Sequence, residues 1–101
     1  MPSFVVTGAN RGLGFAFIQK LSADPSNTVF ALTRNKATST DLLELQSKLN
    51  NIRVLQADIT DVPSLRNVAE EVQKVTGGTL DVLINNGALL TSERSYWTID
   101  Q

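Results

Sequence analysis

Eight residues near the amino terminus, Thr7-Gly8-Ala9-Asn10-Arg11-Gly12-Leu13-Gly14, carry the spacing G-x-x-x-G-x-G. They follow a short apolar, β-branched run, Phe4 to Thr7, and open a stretch of helical period, with Leu13, Phe17 and Leu21 at i, i+4 and i+8. A glycine-rich turn between strand and helix suits an anion. The free N–H groups and the positive end of the helix dipole both face it. Gly8 permits the tight turn out of the strand. Gly12 lets the backbone approach a phosphate where a Cβ would intrude, and Gly14 lets the helix pack close to the sheet. An α/β fold holds the pyrophosphate of a dinucleotide at such a turn. Gly8, Asn10, Arg11, Gly12, Leu13 and Gly14 are therefore candidate phosphate-binding residues. A glycine-rich turn without a ligand is the plainer alternative.

The second strand bears on which dinucleotide. NAD-binding domains place an Asp or Glu there, about 20 residues past the glycines, to bond the ribose 2′-OH. This chain has Thr33-Arg34 instead. No carboxylate stands ready to repel a 2′-phosphate, and Arg34 offers a planar fork that fits one. Arg11 is a second cation in the glycine turn. Together they favour NADP(H) over NAD(H), against the alternative of two solvated arginines.

Other chemistries are narrowed by composition. The 101 residues include no cysteine and no histidine, so thiolate and imidazole metal sites and a histidine base are excluded. The formal net charge is -1 and no Lys/Arg cluster marks a nucleic-acid surface. No apolar run approaches the ~20 residues that span a bilayer. Neither nucleic acid nor membrane is expected as a partner, and the expected location is cytoplasmic.

These residues need elements to position them. Thr28 to Thr33 reads as a second strand after the turn cluster Asp24-Pro25-Ser26-Asn27. A helix is expected from about Asp41 to Leu49, with Asp41 and Glu44 at capping-box spacing. Ile52 to Leu55 reads as a third strand. Pro63 to Val75 is the clearest helix, with Leu65, Val68, Ala69, Val72 and Val75 towards the core and Gly77-Gly78 as its stop. Leu80 to Asn85 is a fourth strand, with the unbroken apolar run of a strand that a complete sheet covers on both faces and pairs on both sides. The alternation predicts an α/β, Rossmann-like three-layer fold, with a parallel sheet of about four strands in the order 3-2-1-4 and helices on both faces. Residues 1–90 form the binding half-domain, and 91–101 a polar tail.

The T-G-x-x-x-G-x-G turn resembles that of the short-chain dehydrogenase/reductase family, in its single-domain, carbonyl-reductase-like type. A second block agrees: Leu80-Asp81-Val82-Leu83-Ile84-Asn85-Asn86-Gly87-Ala88 is similar to the family's strand ending in N-N-A-G, with the last two residues swapped. The resemblance implies that Asn85, Asn86 and Gly87 hold the sheet and line the cofactor. It implies that Asp58 bonds the adenine amino group and Ile59 covers the ring; the alternative for Asp58 is a turn or capping role, the role expected of Asp61. It also implies hydride transfer between NADPH and a carbonyl or alcohol substrate, assisted by a Tyr-x-x-x-Lys pair. Here the one tyrosine, Tyr96, is followed four residues on by Asp100, and Ser92 and Ser95 lie too close to match the family's serine. No catalytic residue is assigned. The chain is expected to be the first part of a family member, truncated before the catalytic residues and exposing its fourth strand to self-association. The alternatives are a non-catalytic dinucleotide-binding module or an inactive remnant.

Overall fold

The computed structural model describes residues 2–10, 12–78 and 80–86. The elements run β1 (Ser3–Val6), α1 (Gly12–Ser22), β2 (Thr28–Thr33), a single 3-10 turn (Lys36–Thr38), α2 (Thr40–Lys48), β3 (Ile52–Gln56), α3 (Val62–Thr76) and β4 (Val82–Ile84). The strands form one parallel sheet in the order β3-β2-β1-β4, the order the alternating pattern predicts. Val5 stands level with Phe30 on one side and Leu83 on the other.

Strand alternation divides the core into two layers. Val6, Val29, Ala31, Ile52 and Val54 point to one face and pack under Ile18 of α1 and Leu42 of α2. Val5, Phe30 and Leu32 point to the other, where Val68 and Val72 of α3 cover them. Burying each such Val, Ile, Leu or Phe side chain contributes roughly 1.5–3 kcal/mol.

Three expectations of these elements need correction. The buried row of α1 is Gly14, Ile18 and Ser22, one position on from Leu13, Phe17 and Leu21. Leu13 is 64% exposed, and Phe17 and Leu21 are half-buried. The close seat of Gly14 sets this rotation, and Ser22 is tolerated inside because its hydroxyl donates to Ile18 O at 2.6 Å. At α2 the cap position falls to Ser39, and Asp41 lies within the first turn; no side-chain capping bond forms. The Ser39 hydroxyl turns instead to Asn35 O and Thr33 Oγ1, both at 2.8 Å.

On α3 only Val68 and Val72 are buried, while Leu65 is half-buried and Ala69 and Val75 are exposed. The period is helical, but Ala69 borders an open groove towards β4 and Val75 a second hollow beside Asn27 and Arg53. β4 is partly bare, as expected: Val82, on the α1/α2 face with Phe4, is 37% exposed, and Leu83 and Ile84 are half-buried. Asp81 fastens the start of β4, its Oδ2 accepting the Ser3 N–H at 2.7 Å.

Candidate functional site

The turn after β1 is built by two backbone requirements. Gly8 and Gly12 have φ of 59° and 60°, the left-handed region that side chains disfavour. A Cβ on Gly12 would meet nothing within 4 Å, so its side of the turn faces open space. Gly14 is different. A Cβ there would run into the carbonyl oxygen of Gly8 and stand 2.6 Å from Asn86 Nδ2. The helix therefore packs against the turn itself and the end of β4, more closely than the sheet contact expected from sequence.

Hydrogen bonds lock this arrangement to the strands on both sides. Thr7 N–H donates to Ile84 O and Ala9 N–H to Leu32 O, each at 3.0 Å. The Thr7 hydroxyl donates to Asn85 Oδ1 at 3.1 Å and accepts the Asn86 N–H at 2.8 Å. Asn86 Nδ2 donates to Gly8 O at 3.2 Å. The Asn pair thus ties β4 to the glycine turn. Asn10 is half-buried and Leu13 lies exposed at the start of α1. Arg11 and Gly87 lie outside the described residues.

Arg34 follows β2 at the same edge of the sheet and is exposed. From Thr28 to Thr40 no acidic residue occurs. Arg34 takes no part in the ion pairs among the described residues, which are Lys48–Glu44 at 3.8 Å and Lys74–Glu71 at 3.2 Å. Asp58, after β3, is half-buried. Its Oδ1 accepts the Thr60 hydroxyl at 2.6 Å and the Thr60 N–H at 2.9 Å. These bonds, the hydroxyl first, hold the carboxyl below its ordinary range, and the nearby charge of Arg34 adds a smaller push in the same direction. Asp58 therefore fills the turn role with one oxygen and keeps Oδ2 for another donor. Asp61 occupies the cap position of α3 but makes no side-chain capping bond, contrary to expectation. Asp58 with Thr60, and Ser64 Oγ accepting the Asp58 N–H at 2.9 Å, pin that loop instead.

Ile59 is half-buried at the head of an apolar groove of about 490 Å³. Val5, Leu32 and Leu83 form its floor and Leu65, Val68 and Val72 one wall. Among the described residues no titratable side chain lines it. Among the described residues no group of three Asp or Glu side chains could hold a metal, and no helix is long and apolar enough to cross a membrane. Ser92, Ser95, Tyr96 and Asp100 lie outside the described residues.

The groups along this edge fit a dinucleotide. The helix start faces open space at Gly12, a cation outside the ion pairs among the described residues follows β2, and Asp58 after β3 shares only Oδ1 in the hydrogen bonds among them. A family model described as short chain dehydrogenase matches residues 3–99. The chain belongs to the short-chain dehydrogenase family. It is 46% identical over 99 residues to the short-chain dehydrogenase/reductase AacuF of Aspergillus aculeatus, and 45% identical over 101 residues to the short chain dehydrogenase virK of Hypocrea virens. Each match covers 98% of this chain and 37% of the relative, so this short-chain dehydrogenase chain spans little over a third of the length of those proteins. Among solved structures, the NADPH-bound carbonyl reductase from chicken fatty liver superposes with a TM-score of 0.80 at 34% identity, covering 93% of this chain and 37% of that one.

Proposed function

We propose that the chain is the NADP(H)-binding portion of an oxidoreductase that moves hydride between NADPH and a carbonyl or alcohol substrate. The observation that carries this reading is Arg34 at the end of β2, exposed, with no carboxylate from Thr28 to Thr40. The NADPH bound to the chicken carbonyl reductase supports it.

The residues then divide the cofactor between them. The turn at Gly8, Asn10, Gly12, Leu13 and Gly14 takes the pyrophosphate on backbone N–H groups, and Arg11 adds a charge beside it. Arg34 grips the 2′-phosphate through its guanidinium fork. Asp58 Oδ2 accepts the adenine amino hydrogen and Ile59 lies against the ring. Asn85, Asn86 and Gly87 line the side facing β4. When bound, the nicotinamide supplies the hydride. The proton that completes carbonyl reduction has no donor pair of the Tyr-x-x-x-Lys type in these 101 residues. The chain alone therefore binds the cofactor and does not turn over carbonyls. NADPH oxidation by the chain with a panel of carbonyls, abolished by Gly12→Val, would contradict that.

Calorimetry on the wild type and Arg34→Ala tests the cofactor reading. Losing a charged phosphate contact costs about 1.5–3 kcal/mol, so NADPH affinity should fall by about ten- to a hundredfold while NADH affinity holds. Equal affinity for the two nucleotides, untouched by the substitution, would remove the reading.

The bare outer edge of β4 favours one further contact, pairing between copies of the chain. No strand flanks that edge among the described residues, Val82 is 37% exposed, and no lysine or proline interrupts it. Light scattering after size exclusion should show association that Val82→Lys weakens. A monodisperse monomer would rule it out.

A further inference from the structure

The loop that carries Arg34 is held by one side chain from another strand. Within the loop, Ser39 Oγ meets Asn35 O and Thr33 Oγ1, and Thr38 Oγ1 donates to Asn35 O at 3.3 Å. From outside, Gln56, the last residue of β3, lies level with Thr33 in the ladder. Its Oε1 accepts the backbone N–H of Lys36 at 2.9 Å. Only the oxygen of an amide can accept an N–H, so this bond fixes which way the amide points. The Nε2 group is left with two donor hydrogens and no protein acceptor among the described residues.

We propose that Gln56 is a specificity-determining residue for the cofactor's 2′-phosphate, fixing the loop of Arg34 and Lys36 without itself adding negative charge to that corner. The proposal rests on the NADP(H) reading above. Its chemistry turns on amide against carboxylate. A glutamate at position 56 has the same length and would accept the Lys36 N–H at least as well, since an ionised acceptor makes the stronger bond. The loop would keep its shape. The difference is one negative charge at the exposed end of β3, beside Arg34, Lys36 and the place where the phosphate docks. A glutamate would pair with the cations that the phosphate needs and repel the phosphate itself. It would also offer an acceptor to a ribose 2′-OH, the role an acid plays in NAD-binding domains. Lys36 is the second cation in three residues, and its position follows from the same tie, because the Gln56 bond is to its own backbone.

The test compares dissociation constants of NADPH and NADH for the wild type, Gln56→Glu and Gln56→Met by calorimetry, each variant first checked for an unchanged melting temperature without nucleotide. Gln56→Glu should lose about tenfold or more in NADPH affinity, the scale of one opposed charge at a partly screened site. Its NADH affinity should hold or rise. Raising the salt concentration should narrow the NADPH gap, which a loss of loop shape alone would not do. Gln56→Met, which drops the tie without adding charge, should lose part of the NADPH affinity and none of the NADH affinity. If Gln56→Met fails to fold, Gln56→Glu decides alone, since it keeps the acceptor. A wild type that prefers NADPH beside a Gln56→Glu variant with the same preference overturns this inference and leaves the Arg34 reading standing. A wild type with no preference overturns the Arg34 reading, and this inference with it.

Discussion

The glycine turn and the flank beside α3 belong to one sheet and are closed by different means. At the turn, Thr7, Ala9, Asn85 and Asn86 bind each other or the neighbouring strands, and Gly14 sits against the Gly8 carbonyl with no room to spare. Beside α3, apolar residues border an open groove, and Leu80 on its rim is 40% exposed. Short-range hydrogen bonds finish the first region. The second depends on burial, and burial is incomplete there. The nucleotide-binding edge can therefore be well ordered in a chain whose flank still exposes apolar surface.

The sharpest way to break this contrast is within the turn. Gly14→Val puts carbon where the Gly8 carbonyl oxygen lies, and backbone cannot swing aside. It should cost about 3 kcal/mol or more, the top of the range for overpacking, and abolish nucleotide binding. Denaturant melts would show it; a loss under ~1 kcal/mol would mean the turn is looser than described.

Next come the two core layers. Ile18→Ala removes a fully buried side chain under the two-helix face and should cost about 3–4 kcal/mol. Val72→Ala, 8% exposed at the groove, loses fewer atoms and leaves less of a closed cavity. It should cost about 1–2 kcal/mol. Similar losses per deleted methyl group at both sites would mean the flank is packed as tightly as the other face.

Gly12→Ala sharpens the account of the turn. It meets no atom, so only the φ of 60° opposes it, at about 1–2 kcal/mol. A loss as large as that of Gly14→Val would show that the two glycines do the same job.

The smallest effect is that of pH. Hydrogen bonds from Thr60 lower the folded Asp58 pKa below its value in the unfolded chain. The stability this brings is present above the unfolded value of about 4 and is lost as pH falls through the lower folded value. Asp58→Asn should therefore flatten the acid side of the melting-temperature profile slightly and leave its neutral side nearly level. Parallel acid limbs for the two proteins would remove the Thr60 account.

Strand order and the place of the glycine turn were legible in the sequence, because runs such as Thr28 to Thr33 are apolar throughout and Gly8 and Gly12 mark a backbone that other residues avoid. The rotation of α1 was misread. Leu13, Phe17 and Leu21 look like the stronger apolar row, yet a glycine that must sit against a carbonyl overrides hydrophobicity and turns Gly14, Ile18 and Ser22 inward. Asp41 looked like a cap because spacing shows nothing of where Ser39 is drawn by Thr33. Val75 carried the right period, but period cannot reveal that the end of the helix borders an open hollow beside Asn27 and Arg53. Gln56 gave no signal, since its bond to Lys36 spans 20 residues and depends on strand register.

The cofactor assignment is tested most directly at the phosphate itself. Phosphorus NMR of NADPH bound to the chain, followed against pH, reads the ionisation of the 2′-phosphate. A phosphate monoester loses its second proton near pH ~6. A guanidinium gripping it favours the doubly charged form, so the bound group should titrate below the free one, and Arg34→Ala should move it back. A bound 2′-phosphate that titrates like the free nucleotide, with or without Arg34, would contradict the account.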